Sequence, residues 1–378
     1  MESKYSKWYH PYKPVKKYSK KAAYFSMEFG IDQALNIYSG GLGFLAGSHM
    51  RSAFELKQNM IGIGMLWKYG YYDQKRNDDQ TLKVEFNEKH FDFLEDTGIE
   101  VEVQLHQNPH VKVRAYVLKP EIFGTVPIYL LSTDVDGNDH LSRTITNHLY
   151  DANEVTRVSQ SIVLGIGGAK VVEKLGGADI YHLNEGHGLP AFYYLKDQGV
   201  TKEQMVFTTH TPEKAGNEER DAMHLNRCGF FGRTLPHHEL EQGAVNDFNI
   251  SYTVSALRMA KRTNAVSKLH AEVSKRMWGE YEGISEIIPI TNSQNQKYWQ
   301  DNSIRKAWEK KNSANYKRRK KALKKRLFEE VFEQTGKQFD PNVLTMVWAR
   351  RFAGYKRADL LLHDYERFQR LVNSADYP

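Results

Sequence analysis

Short apolar runs that end in glycine or polar loops and lead into helical segments recur along this chain, and that alternation limits the possible fold more than any other feature. "AAYFSMEF", from residue 22, reads as a buried strand that ends at a glycine. Leu42, Leu45, Ala46, His49, Met50 and Ala53 then fall at i, i+3, i+4, i+7, i+8 and i+11, the spacing of an amphipathic helix. "MIGIGML" at 60 to 66 reads as the next strand. Val155, Val158, Ile162 and Ile166 mark another helix, "ADIYHLNEGHG" and "MVFTTHTP" each run from a strand into a polar loop, and "TNAVSKLHAEVSKRM" gives strand then helix. Such alternation calls for βαβ units and a doubly wound, mostly parallel α/β sheet covered on both faces. From about 80 to 132 the period changes to two, as in "VEVQLH" and "VKVRAYVL", which predicts a β-rich insertion of antiparallel strands.

With 378 residues the chain exceeds the size at which one hydrophobic core stops growing. The segments divide into a basic, aromatic arm at 1–21, a large domain at 22–338, and the beginning of a second domain at 339–378. A long charged helix is expected over roughly 303 to 335, with "GKQFDPN" at 336 to 342 as a linker. "VLTMVWARRF" then reads as a strand and "AGYKRADLLLHDYERFQRLV" as a helix, a single βα unit of an incomplete second domain. Hydrophobic residues at 40% and charged ones at 26% exclude disordered and membrane-embedded classes. The arm lacks the apolar core of a signal peptide and Cys228 stands alone, so a cytoplasmic protein without an intramolecular disulfide is expected. The net charge of +7 is concentrated in "KRRKKALKKR" at 317 to 326, which carries eight cations. Ala322, Leu323, Leu327, Phe328 and Val331 recur there at helical spacing, predicting one buried side and one solvated basic face, with no nucleic-acid or membrane partner.

Ligands of doubly wound sheets bind beyond the carboxyl ends of the strands, and three polar or glycine-rich loops lie at such ends: 36 to 43, 183 to 188 and 208 to 217. In "NIYSGGLGFLAGSH", glycines at 40, 41 and 43 leave consecutive N–H groups and a helix start able to face an anion, or serve a tight strand-to-helix turn. "HLNEGHG" sets two histidines around a carboxylate without the spacing of a zinc site, so no metal is expected and a polyhydroxylated ligand suits it better. "TTHTP" puts His210 just past a strand end. "RRFAGYKR" at 350 to 357 packs four cations where a strand meets a helix, a further place for an anion.

"YFSMEFGIDQALNIYSGGLGFLAGSH", "IVLGIGG", "HLNEGHGLPAF", "VFTTHTPEKAGNE" and "ARRFAGYKRADLL", in that order, resemble the motifs of the α-glucan phosphorylases, the glycogen and maltodextrin phosphorylases, in their shorter bacterial form. The resemblance extends from about residue 22 to the end. It implies a GT-B architecture of two Rossmann-like domains with the site in the cleft between them. It also implies retaining phosphorolysis of the terminal α-1,4-linked glucose of a glucan to glucose 1-phosphate, with pyridoxal phosphate as cofactor. By motif, the backbone of Gly40, Gly41, Leu42 and Gly43 would contact phosphate and the glucosyl unit, and His210 would contact the sugar. Arg351 and Lys356 would clamp inorganic phosphate, and Arg350 would lie near the cofactor phosphate. Glu185 and His187 would line the cleft, and Asp151 and Asn153 would belong to a gating loop.

Two alternatives stand beside this reading. A glycosyltransferase of the glycogen-synthase type also carries a Gly-Gly-Leu-Gly loop, but usually after a lysine, whereas Tyr38 and Ser39 precede the glycines here. A noncatalytic glucan-binding module is suggested by the one departure from the family pattern: no lysine in the sequence matches the cofactor-attachment motif. On that ground the sequence resembles the N-terminal part of a phosphorylase and is expected to be inactive alone. A homo-oligomer is compatible with the resemblance.

Overall fold

Three elements and the loops that join them set the frame on which the candidate site is built: β1 (Ala22–Ser26), α1 (Gly41–Glu55) and β2 (Met60–Met65). A computed structural model describes residues 3–79, 81–105, 110–213, 216–350 and 356–374. Its contacts divide the chain into two compact units, 1–295 and 296–378.

The first unit is organised by one sheet. Its remaining strands are β3 (Glu95–Val103), β4 (Val111–Leu118), β5 (Ile128–Ser132), β6 (Ile180–Asn184), β7 (Met205–Thr209), β8 (Arg262–Ala265) and β9 (Ile287–Pro289). Their spatial order is β9-β8-β7-β6-β1-β2-β5-β4-β3. Every pairing from β9 to β5 is parallel, and β4 and β3 continue the sheet antiparallel. The period-two segment thus extends the main sheet at one edge, and alternate residues of β4, such as Val111, Val113 and Ala115, are buried. Between β1 and β6 the chain order reverses direction across the sheet, which is where a doubly wound fold opens a crevice for ligands.

Both faces of this sheet are covered, as parallel strands buried on two sides require. Tyr24 and Phe25 are neighbours in β1 and so point to opposite faces. His49 of α1 meets the Tyr24 ring edge-on at 4.9 Å. On the other face run α2 (Glu154–Ile162), a π-helical turn at Val163–Gly167, and α3 (Gly168–Lys174). A Cβ at Gly168 would stand 2.7 Å from Ile63 and 2.8 Å from Phe25, so only glycine lets this helix lie so close to β1 and β2. One at Gly165 would reach the backbone of Ala191 at 2.6 Å, at the start of α4 (Pro190–Asp197). The "LGIGG" stretch therefore seats the loop that precedes α4 against the sheet.

The basic arm is part of this unit over its described residues. Tyr5 is wholly buried, donates its hydroxyl to Glu121 at 2.5 Å and takes the Tyr129 hydroxyl on its carbonyl at 3.2 Å. No helix among the described residues is long and apolar enough to cross a membrane.

The second unit differs from the sequence reading at several points. The expected helix over 303 to 335 is two helices, α5 (Asn302–Glu309) and α6 (Ser313–Thr335), parted where Asn312 caps the second by accepting the N–H of Asn315. Within the unit, Asp301 both caps α5 and pairs with Arg319 of α6 at 2.7 Å, and Lys321 reaches Asn342 at 2.8 Å. No residue of α6 is buried, contrary to the expectation of one buried side: Leu323, Phe328 and Val331 are half-buried, Leu327 and Phe332 exposed. The predicted strand at 343 to 352 has no strand geometry over its described residues 343–350, and Leu344 and Val347 are 82% and 70% exposed. A strand is held by a ladder to its neighbours, and among the described residues of this unit no other strand offers one. A helix follows at Tyr365–Val372.

Candidate functional site

The carboxyl ends of β1, β6 and β7 converge at the reversal point, and the sequence places polar side chains at each. Register sets Ser26 opposite Asn184 and Asn184 opposite Thr208, so one row of small polar groups crosses three strands. Asn184 donates through Nδ2 to the Ser26 hydroxyl at 3.1 Å, and its Oδ1 lies 2.6 Å from Nε2 of His210. Ser26 in turn donates to the carbonyl of Glu28 at 2.9 Å.

Glu185 follows β6 with φ 69° and ψ 171°, a backbone state nearly confined to glycine, at a cost of order 1–3 kcal/mol. The strain is held by a bond across to the next strand end, where the N–H of His210 donates to Glu185 Oε1 at 2.5 Å. The carboxyl is almost wholly buried, and burial pushes its pKa up to about 7 against the opposing pull of the N–H groups of His210, Gly186 and Thr211. His210 is pushed the other way, down to about 3 by burial, and is a neutral imidazole. His187 is likewise held neutral, lowered to about 4 by burial and next by Arg157, and its Nδ1 is buried with no partner among the described residues. Its ring lies 5.6 Å from that of Tyr150, which also has positive φ, at 59°. His182, Glu185 and His187 do not converge as a metal site would: His182 turns to Thr208 at 2.7 Å, and Glu185 to His210.

The glycine loop closes on an internal anion. Glu28 Oε2 accepts the N–H of Ser39 at 2.6 Å and of Gly40 at 3.2 Å, and its Oε1 accepts the Tyr150 hydroxyl at 2.8 Å. Gly40, the residue before α1, therefore has its N–H already engaged, and the donors left at this helix start begin with Gly41 and Leu42. The glycines serve different ends. A Cβ at Gly41 would meet nothing within 4 Å, whereas one at Gly43 would stand 2.6 Å from Tyr38 and one at Gly47 2.1 Å from the carbonyl oxygen of Gly30. Gly43 and Gly47 are thus the tight-turn glycines, letting α1 lie directly on the 28–30 segment.

Of the expected site residues, Glu185 and His210 are in contact, and Gly40 is linked to them through Glu28, Ser26 and Asn184. Asn153 caps α2, accepting the N–H of Thr156 at 3.0 Å, and Asp151 accepts the N–H of Asn153 at 2.8 Å, so both side chains shape the start of that helix. Arg350 is exposed and Lys356 half-buried, both in the second unit, and Arg351 lies outside the described residues. Glu28, Ser26, Asn184 and Tyr150 were not foreseen. The sequence held one signal for Glu28, a carboxylate inside an otherwise apolar run that ends at a glycine.

No protein-family model matches the chain. It is 50% identical over 356 residues to the uncharacterized protein MJ1631 of Methanocaldococcus jannaschii, an alignment that covers 93% of this chain and 68% of that protein. It is 34% identical over 435 aligned positions to the maltodextrin phosphorylase of Thermococcus litoralis, covering 99% of this chain and 51% of the relative. With the glycogen phosphorylase of Mycobacterium tuberculosis the identity is 30% over 441 positions, covering 94% of this chain and 50% of the relative. The chain spans about half the length of these two phosphorylases. On its match to MJ1631 the chain belongs to that protein's family, which the further matches tie to the maltodextrin and glycogen phosphorylases.

Proposed function

We propose that this chain carries the glucan- and phosphate-binding face of a retaining α-glucan phosphorylase site of the GT-B type. The observation that carries this reading is the meeting of Glu185 and His210 at the strand-order reversal, tied by hydrogen bonds to the glycine loop at the start of α1. The kinship with proteins named maltodextrin and glycogen phosphorylase supports the substrate class.

In this reading the N–H groups of Gly41 and Leu42, with the positive end of α1, receive phosphate oxygens. His210 is neutral, and Glu185, its pKa raised to about 7 by burial, carries less negative charge near neutral pH than an ordinary carboxylate to oppose an incoming anion. Arg351 and Lys356 are the cations assigned to inorganic phosphate, Arg350 is assigned to the neighbourhood of a cofactor phosphate, and His187 lines the sugar site. Asp151 and Asn153 are assigned to a loop whose opening admits the glucan. Pyridoxal phosphate is the cofactor that the kinship with phosphorylases suggests for the complete site, and no step is derived through it.

Calorimetric titration of the purified chain with maltodextrin tests the reading. Saturable binding that glucose 1-phosphate displaces is expected, with β-1,4-linked cellodextrin giving no heat. Equal binding of both glucans, or of neither, contradicts it.

A further inference from the structure

Three strand ends at the crevice are joined by a chain of hydrogen bonds in which each partner's chemistry fixes the next. A serine hydroxyl has one proton, and that of Ser26 is given to the carbonyl oxygen of Glu28 at 2.9 Å. Toward Asn184, Ser26 then offers only a lone pair. The amide must present its NH2 there, at 3.1 Å, which turns its oxygen toward His210. A carbonyl oxygen accepts and never donates, so the imidazole nitrogen 2.6 Å away must carry the proton.

We propose that Ser26 and Asn184 are positioning residues that lock His210 in its Nε2–H tautomer, so that the imidazole meets any ligand as a hydrogen-bond acceptor, through Nδ1. Burial keeps the ring neutral, and no hydrogen bond to Nδ1 comes from a described residue. The opposite arrangement would turn the Asn184 amide over, spend the Ser26 proton on it, and break the bond that Ser26 donates to the buried Glu28 carbonyl. Because Glu28 also holds the N–H groups of Ser39 and Gly40, the same chain of bonds ties the tautomer of His210 to the segment that carries the glycine loop. A ligand suited to this site offers a hydroxyl donor to Nδ1. That a sugar supplies it rests on the glucan reading, whereas the tautomer does not.

The test is nitrogen-15 NMR of the full chain labelled at histidine, with the His210 signals assigned by their disappearance in His210→Gln. The expected wild-type pattern is a protonated, pyrrole-type Nε2 and a bare, pyridine-type Nδ1. A protonated Nδ1 with bare Nε2 overturns the proposal. Asn184→Leu is expected to lose the pure Nε2–H pattern and to populate both tautomers. Asn184→Asp, which keeps an acceptor in place, is expected to retain the pattern and to raise the imidazole pKa. An unchanged tautomer in the leucine variant, or an unchanged pKa in the aspartate variant, shows that Asn184 does not act on His210. Maltodextrin binding, measured separately, reports on the glucan reading alone: its absence beside the expected NMR pattern rejects the ligand and leaves the relay standing.

Discussion

Glu28 Oε2 accepts the backbone N–H of Ser39 at 2.6 Å, so a carboxylate of the chain's own occupies the loop at which an external anion was expected. The neighbouring N–H of Gly40 and the hydroxyl of Tyr150 donate to the same carboxylate. Loop, helix start and Tyr150 thereby depend on one side chain. Glu28→Ala should raise hydrogen-exchange rates at Ser39 and Gly40 while leaving the middle of α1 protected. It should destabilise the first unit by roughly 1.5–3 kcal/mol, the range for hydrogen bonds to a charged group. Unchanged exchange at those two amides would show that Glu28 does not hold the loop.

The glycines of α1 separate into two kinds, and substitution should tell them apart. Gly47→Ala puts a methyl group 2.1 Å from the Gly30 carbonyl oxygen, backbone against backbone, and should cost about 1–3 kcal/mol or more in urea unfolding. Gly41→Ala meets open space and should be neutral or stabilising by up to about 1 kcal/mol, with its N–H still available to a ligand. Equal effects at the two positions would refute this division.

The buried Glu185 carboxyl gives stability a pH dependence of definite sign. Its pKa in the fold is about 7 against an ordinary 4.5, so between these values the folded chain binds more protons than the unfolded one and stability falls as pH rises. The gap corresponds to roughly 3 kcal/mol. His49, His182, His187 and His210, all lowered by burial, act in the opposite sense: their stabilisation is complete above the ordinary imidazole range and is lost on acidification. They titrate in wild type and variant alike. The stability difference between Glu185→Gln and wild type should therefore favour the variant by up to about 3 kcal/mol more at pH 8 than at pH 4.5. A difference independent of pH would mean that Glu185 ionises normally.

Cofactor attachment offers a chemical check. Because no lysine in the sequence matches the family's cofactor-attachment motif, incubation with pyridoxal phosphate and borohydride should leave no stoichiometric adduct at any one lysine, only scattered labelling of exposed amines. A single fully labelled lysine would contradict that expectation.

The sheet was legible because its strands are apolar runs punctuated by glycine, and burial on two faces leaves no other use for such runs. "VEVQLH" and "VKVRAYVL" announced themselves by period two because β3 and β4 lie at the edge of the sheet, where one face is exposed. Glu185 and His210 were legible as polar residues at strand ends. Their mutual contact was not, since it depends on β6 and β7 being neighbours, and Asn184 read as one more polar residue in a strand. The apolar pattern of "VLTMVWARRF" implied a strand, yet pattern records only what a segment could bury, and a strand needs a partner that the described part of the second unit does not contain. Likewise Leu327 and Phe332 of α6 show the spacing of a buried stripe without the burial.

The proposed function requires that the start of α1 and His210 form one site for a glucosyl phosphate. The direct measurement is a titration of the nitrogen-15-labelled chain with glucose 1-phosphate, following the amides of Gly41 and Leu42 together with the His210 imidazole. All three are expected to move along a single saturation curve, and His210→Ala to abolish the response at the helix start. Shifts elsewhere with these three unmoved, or a response of Gly41 and Leu42 indifferent to His210, would contradict it.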